Sequence, residues 1–281
     1  MKSDFSDATL ILLGHGTTLN VDSSAPVYQH AKELRESKVF AEVREAFWKQ
    51  EPRVVEVIGK AATERVFIAP LFISEGYFSE DVIPGALGFR KAGEVEWARS
   101  IHRGNQTFVY CKPVGTHDRM TEVLLARARE IVERFPFPRA PKAGDTTLFI
   151  AGHGTEQNEN SRKVIEKQVE LIRQLNIYSA VHAVFLEEEP RIAACYQLAQ
   201  TRNIVMVPFF ISDGMHTMED IPILLGEAQR NVRQRLEQGQ PTWRNPKEKK
   251  GKLVWYSRSV GSEPSLVQVI LERVREAASG R

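Results

Sequence analysis

The chain carries one block of sequence twice, and this duplication limits its fold more than any other feature. Gly14-His15-Gly16-Thr17 returns as Gly152-His153-Gly154-Thr155, 138 residues later. At the same offset Glu51-Pro52-Arg53 returns as Glu189-Pro190-Arg191, and the segment 70–76 resembles 208–214. Blocks that match at one fixed spacing are the signature of a repeated structural unit. We therefore predict a duplicated domain.

The boundary between the two copies is marked by proline. Val114-Gly115-Thr116 corresponds to Val260-Gly261-Ser262 at an offset of 146, so the second copy holds eight extra residues, which we place in the polar stretch 238–252. The Pro-rich segment 135–145 precedes the second copy, and such segments favour extended backbone between domains. The sequence thus predicts two domains, residues 1–140 and 141–281.

Each copy alternates short apolar runs with longer amphipathic segments. Such alternation predicts βαβ units and a parallel sheet covered on both faces. The predicted strands are 8–13, 42–48, 66–72 and 107–113, then 147–151, 180–185, 204–210 and 253–257. The predicted helices are 26–37, 53–63, 83–92 and 120–135, then 163–174, 191–201, 223–237 and 266–278. The expected fold class is α/β, with two tandem three-layer α/β/α domains, each with a mostly parallel four-stranded sheet, related by a pseudo-twofold axis.

Composition excludes several classes of function. Of the 281 residues 42% are hydrophobic and 26% charged, which is typical of a globular protein, and the net charge of +2 gives no reason to expect a nucleic-acid partner. No apolar run has membrane-spanning length and the first residues do not resemble a secretory signal, so we expect a cytoplasmic protein without a membrane partner. Cys111 and Cys195 lack the spacing of a zinc site and are expected to be buried apolar residues.

Three side chains of the second copy follow predicted strands. His153 follows the first strand, Glu187 the second and His216 the third. Because open parallel sheets bind ligands beyond the carboxyl ends of their strands, these side chains are expected to converge. Two imidazoles and a carboxylate bind late first-row divalent metals and leave coordination positions open for a substrate. We therefore take His153, His216 and Glu187 as both the metal ligands and the catalytic residues, with a histidine as general base.

The first copy departs from this pattern. The same offset places Lys49 opposite Glu187 and Phe78 opposite His216, and His15 alone is retained. We therefore place the main site in the second copy and leave His15 as an auxiliary base or ligand, or as a vestigial turn residue. In the first copy the neighbouring rings of Tyr77 and Phe78 are available for stacking on a flat ligand.

With these motifs in view, the chain resembles the class II tetrapyrrole chelatases, specifically the sirohydrochlorin cobaltochelatase and ferrochelatase branch. The resemblance rests on the paired Gly-His-Gly-Thr turns, on Phe185 to Pro190, and on Gly214-Met-His-Thr-Met-Glu-Asp-Ile-Pro222. It covers nearly all of both copies. It implies two facing domains with the macrocycle in the cleft between them, and ATP-independent insertion of Co²⁺ or Fe²⁺ into sirohydrochlorin, for cobalamin or sirohaem synthesis. A related acidic tetrapyrrole is the alternative substrate, and the ligand types discriminate only weakly between these ions and Ni²⁺. The metal is then a substrate, and no nucleotide is required.

The substrate class directs attention to further side chains near the site. Thr155 belongs to the repeated turn, and Met215 beside His216 offers packing or a thioether contact with a flat ring. Because the substrate carries many carboxylates, Arg191 and its counterpart Arg53 are candidates for binding it, although a structural role at a helix start is as good a reading. The fused copies are expected to act as a pseudo-dimer within a monomer.

Two other functions fit part of the pattern. The degraded first copy is compatible with a carrier that binds metal or tetrapyrrole without turnover. Two histidines and one carboxylate are also the ligand set of mononuclear Fe²⁺ oxygenases, although those sites usually come from a different architecture. A test of metal insertion into sirohydrochlorin separates the first alternative from the enzyme.

Overall fold

The computed structural model describes residues 5–17, 23–94, 96–154 and 159–280. The chain forms two compact units, Met1–His117 with Pro264–Arg281, and Asp118–Glu263. Each unit contains one five-stranded sheet with helices packed on it. The expected α/β class with two similar sheets is therefore confirmed. Among the described helices none is long and apolar enough to cross a membrane.

The first sheet has the strand order β2-β1-β3-β5-β4. The strands and helices of the first copy are β1 Phe5–Gly14, α1 Ala25–Glu36, β2 Phe40–Phe47, α2 Val54–Ile58, β3 Arg65–Pro70, α3 Ile83–Ala86, β4 Ser100–Arg103, β5 Gln106–Tyr110 and α4 Met120–Arg134. Four strands run parallel, and β4 pairs with β5 in antiparallel register, Ser100 opposite Val109. The central strands β1 and β3 are almost wholly buried because helices cover both faces.

The second sheet repeats the first, with the order β7-β6-β8-β10-β9. Its elements are β6 Thr146–Gly152, α5 Glu159–Gln174, β7 Ala180–Phe185, α6 Cys195–Leu198, β8 Asn203–Pro208, α7 Ile221–Leu224, α8 Gln229–Glu237, β9 Lys247–Lys249, β10 Lys252–Tyr256 and α9 Leu266–Ala278. The strand β9 is antiparallel to β10, as β4 is to β5. The first strand of each copy lies between the second and third, so its carboxyl end is the switch point of the sheet.

The last helix of each copy packs on the sheet of the other copy. Helix α4 contacts β8 and β10, and α9 contacts β3 and β5. A buried arginine anchors each helix in the same way: Arg127 donates to the carbonyl of Ser259 at 2.9 Å, and Arg273 donates to that of Pro113 at 3.1 Å. The compact units therefore differ from the repeats of sequence. Residues 1–140 and 141–281 remain our prediction for the two copies, while each folded unit takes its closing helix from the other copy.

Several predicted elements need correction in detail. The continuous helix expected over 223–237 is wrong, because α7 ends at Leu224 and α8 begins at Gln229. Gly226 lies between them with φ +96°, a conformation that favours glycine and ends a helix. The helices expected over 53–63 and 191–201 are shorter, with α2 spanning Val54–Ile58 and α6 spanning Cys195–Leu198. The short antiparallel strands β4 and β9 were not predicted.

Candidate active site at the carboxyl edge of the second sheet

The carboxyl edge of the second sheet carries the three side chains singled out in the sequence. His153 follows β6 directly, Glu187 comes two residues after β7, and His216 begins a π-helical turn, His216–Asp220, after β8. Such wide turns interrupt regular helices mostly at functional sites. The glycine after His153, Gly154, has φ +66°, and a Cβ there would come within 2.9 Å of Phe185 Cβ. The backbone turn that presents His153 therefore depends on glycine.

The structure brings these three side chains together. The rings of His153 and His216 meet edge to face, with centroids 4.8 Å apart and an interplanar angle of 83°. The Oε2 atom of Glu187 lies 3.7 Å from Nδ1 of His153. The backbone N–H of Glu187 donates to the carbonyl of His153 at 3.0 Å and joins the turns that follow β6 and β7. Residues separated by 63 positions (216 − 153) thus form one cluster.

Hydrogen bonds select the same tautomer for both imidazoles. The Nδ1 atom of His153 lies 2.8 Å from the carbonyl oxygen of Gly154, and Nδ1 of His216 lies 2.7 Å from Oδ2 of Asp220. A carbonyl or an ionised carboxylate only accepts, so each Nδ1 carries the proton. Each Nε2 then keeps its lone pair, which is the tautomer of a metal-binding histidine oriented by a second partner.

The cluster is open. The side chains of His153 and Glu187 are 35% and 59% exposed, and that of His216 is 47% exposed, so an ion or a macrocycle can reach them. Across the described ranges, no group of three or more His, Cys, Asp or Glu side chains is arranged closely enough to hold a metal ion. A cavity of about 710 Å³ adjoins the cluster, lined by Glu187, Arg191 and other charged side chains.

The first copy has the same frame with different chemistry. The rings of His15 and Phe78 also lie 4.8 Å apart, at 78°, so phenylalanine stands where the second copy has its second imidazole. The backbone N–H of Lys49 donates to the carbonyl of His15 at 2.8 Å, as Glu187 does to His153. The ammonium of Lys49 lies 5.0 Å from the centre of the Phe78 ring. The first copy has therefore lost the ligand set through side-chain substitutions, while its backbone keeps the arrangement seen in the second copy.

His15 titrates differently from an exposed histidine. Burial lowers its pKa below the ordinary value, and the nearby Lys49 ammonium lowers that pKa further. Its Nδ1 lies 3.0 Å from the carbonyl oxygen of Gly16, so the neutral ring carries its proton there. The result is a neutral imidazole with a free Nε2 at pH 7. Such a ring can accept a proton, which keeps its auxiliary role as a proposal.

The remaining substrate-binding candidates occupy different places. Tyr77 and Met215 stand at equivalent positions and are 67% and 68% exposed. Phe78 is partly buried against the core of the first unit. The Arg191 guanidinium donates to the carbonyl of Leu186 and lies 3.7 Å from a Glu189 carboxylate oxygen, so it braces the turn that carries Glu187. The last candidate, Thr155, lies outside the described residues. A substrate-binding role remains a prediction for all of them.

Sequence reasoning missed one partner of the cluster. Asp220 is the N-cap residue of α7, and its carboxylate also holds the ring of His216. The spacing carried the signal, since residues four apart share one face of a helix. A second buried group supports the same turn: the Tyr256 hydroxyl donates to the carbonyl of Thr217 at 2.7 Å. No sequence pattern relates Thr217 to Tyr256, so this hydrogen bond could not be predicted.

The fold and the edge cluster together define a duplicated α/β chelatase domain. The CbiX family model matches residues 9–131 and again 147–277, and the chain belongs to this family as an internally duplicated member. A protein of Halobacterium salinarum described as "Probable sirohydrochlorin cobaltochelatase" is 39% identical over 280 residues, covering 96% of this chain and 91% of its own length. Membership therefore identifies the chain as an enzyme of the chelatase group.

Solved structures agree on the fold. A multi-domain protein from Deinococcus radiodurans with structural similarity to chelatases superposes with a TM-score of 0.76 and 26% identity, covering 96% of this chain and 54% of that one. SirB from Bacillus subtilis, solved with Fe³⁺, has a TM-score of 0.68 and 16% identity, and the match covers 97% and 96% of the two chains. These likenesses confirm the expected α/β architecture.

Proposed function

We propose that this chain inserts a divalent metal into sirohydrochlorin or a closely related acidic tetrapyrrole without ATP, as a lyase of the cobaltochelatase and ferrochelatase type. The observation that carries the proposal is the edge-to-face pair of His153 and His216, each with Nδ1 occupied and Nε2 free, beside Glu187. The description of the Halobacterium salinarum relative supports the same substrate. The metal is Co²⁺ or Fe²⁺, with Ni²⁺ as a further option.

The chemistry needs an ion donor and a proton acceptor in one place. Insertion of one divalent ion releases two pyrrole N–H protons, and the macrocycle nitrogens replace the protein ligands around the metal. An imidazole Nε2 can hold the ion first and accept a proton once the ion has left, because its ordinary pKa lies near neutrality. The Asp220 carboxylate orients the ring of His216, since its Oδ2 lies 2.7 Å from Nδ1.

Glu187 gives the cluster its negative charge. Its carboxylate is more than half exposed and 3.7 Å from the His153 ring, so it can attract the ion or receive a proton without being locked in place. Gly154 keeps the turn that presents His153 in place, because a Cβ there would come within 2.9 Å of Phe185 and 3.2 Å of Glu188. Arg191, on the same cavity as Glu187, is the proposed contact for a substrate carboxylate.

The test is an absorbance assay with sirohydrochlorin and Co²⁺, Fe²⁺ or Ni²⁺ under anaerobic conditions. We expect the parental protein to accelerate insertion, and we expect His153→Ala and His216→Ala to lose most of that acceleration. His182→Ala is the matched control, because His182 lies within β7 and stacks on Phe149 at 5.3 Å, away from the cluster. A parental protein that binds sirohydrochlorin without accelerating insertion would be a carrier, and the proposal would be rejected.

A further inference from the structure

The first copy inverts the charge of the active cluster while keeping its geometry. The two ring pairs have the same 4.8 Å centroid separation, and the two following backbone hydrogen bonds measure 2.8 and 3.0 Å. At the position of Glu187 the first copy carries Lys49, and at the position of His216 it carries Phe78. An acidic, metal-binding set has become a basic, aromatic one.

The Lys49 ammonium is available to an anion. The residue is exposed, and no Asp or Glu of the described ranges pairs with its side chain. Its position 5.0 Å from the centre of the Phe78 ring restrains the long side chain without using its N–H donors. The neighbouring His15 ring meets Phe78 edge-on and adds no positive charge when neutral.

An aromatic surface adjoins this ammonium. Phe78 contacts Tyr77 with ring centroids 5.4 Å apart, and Tyr77 is 67% exposed. An isolated exposed tyrosine would carry little meaning, but here it continues a row of rings that starts at His15. A flat ring with carboxylates at its periphery matches such a surface, since the rings cover its apolar face and the ammonium meets a carboxylate.

We propose that the edge of the first sheet formed by His15, Lys49, Tyr77 and Phe78 is a carboxylate-binding site for the tetrapyrrole, in which Lys49 forms an ion pair with a peripheral carboxylate. The inference rests on the proposed function, because it takes its ligand from there. It also assigns a role to the charge inversion. A divalent cation is repelled from the first copy by Lys49, so the metal is directed to the second copy.

The experiment is a titration of the metal-free protein with sirohydrochlorin, followed by the absorbance of the macrocycle. Lys49→Met keeps the apolar stem and removes the charge, and we expect Kd to rise about three- to fivefold, the upper range for one exposed ion pair. Lys49→Arg should bind within about twofold of the parental protein, since a guanidinium also pairs with a carboxylate. Lys60→Met is the matched control, because Lys60 is an exposed lysine beyond α2 and away from this edge.

Two further readouts separate binding from structural damage. The loss caused by Lys49→Met should shrink in about 1 M salt, where the screening length falls to roughly 3 Å. Co²⁺ binding to the second copy should be unchanged in the same variant. Sirohydrochlorin affinity equal to that of the parental protein at low salt would overturn this inference alone. A parental protein that does not bind sirohydrochlorin would reject the proposed function as well.

Discussion

Rebuilding the second copy's ligands in the first copy should create a second metal site. The change is Lys49→Glu with Phe78→His, which places a carboxylate and an imidazole beside His15. The backbone frame is already present, because the ring separation at this position is 4.8 Å in both copies and the interplanar angles are 78° and 83°. We expect the number of Co²⁺ ions bound per chain to rise from one to two.

The rebuilt site should bind Co²⁺ more weakly than the original site, because it lacks a counterpart of Asp220. The position of Asp220 is occupied in the first copy by Val82, so the introduced imidazole has no carboxylate on its Nδ1. Loss of such an outer partner typically weakens metal binding by about 10- to 100-fold, or roughly 1.4 to 2.7 kcal/mol. The new site should therefore be weaker than the original by that factor, and adding Val82→Asp should recover most of the difference.

The assay is isothermal titration with Co²⁺, read together with the thermal unfolding midpoint of each variant. Removal of the contact between Lys49 and Phe78 costs about 0.5 to 1 kcal/mol, so the variants should remain folded. Lys60→Glu is the control for the change of charge alone and should bind one ion. A folded variant with both substitutions that binds no second ion would refute the claim that the two copies share one frame.

Three smaller predictions concern single residues. Asp220→Asn removes the charge beside His216 and should weaken Co²⁺ binding by about tenfold in the same titration. This is the lower end of the range for groups that hydrogen-bond a metal ligand, because the side chains of His216 and Asp220 are both partly exposed. Unchanged Co²⁺ affinity would exclude a positioning role for Asp220. Lys49→Met should raise the pKa of His15 in an NMR titration, but that pKa should stay below 6.5 because burial is the larger cause of its lowering. A His15 pKa that does not rise would contradict the repulsion ascribed to the Lys49 ammonium. Gly261→Ala should lower the free energy of unfolding by more than about 2 kcal/mol in chemical denaturation, because the new Cβ would overlap the backbone carbonyl of Ile211 in the loop after β8. A change under about 0.5 kcal/mol would show that this loop can move to accommodate the methyl group.

The pH dependence of stability follows from the same histidine. Because the folded-state pKa of His15 is lowered from 6.5, the unfolded chain binds its proton more readily between the two values. The free energy of unfolding should therefore fall as the pH drops below 6.5, and the fall due to this residue should end below the folded-state pKa. The Lys49→Met variant should lose less stability over that range, since its His15 pKa lies closer to 6.5.

The sheet and the edge cluster could be predicted because both depend on periodic or repeated sequence. The apolar runs that became β1, β6 and β8 are nearly continuous, and the offset of 138 residues placed each candidate opposite a counterpart. Since parallel strands end at a common edge, residues far apart in sequence could be expected to meet there.

Other features depend on contacts that leave little trace in the sequence. The exchange of α4 and α9 between the two copies is held by Arg127 and Arg273, and an arginine within an amphipathic helix is normally interpreted as exposed. The short strands β4 and β9 contain mainly polar residues, so they lack the apolar pattern of a buried strand. Both features were therefore found only in the structure.

The most direct test of the account is the coordination of Co²⁺ bound to the protein before any macrocycle is added. X-ray absorption at the cobalt edge, with His153→Ala and His216→Ala measured beside the parental protein, counts the imidazoles in the first shell. The account predicts two imidazole nitrogens together with oxygen ligands, and the loss of one nitrogen in each variant. A shell built from oxygens alone, unchanged in both variants, would contradict the assignment of the site.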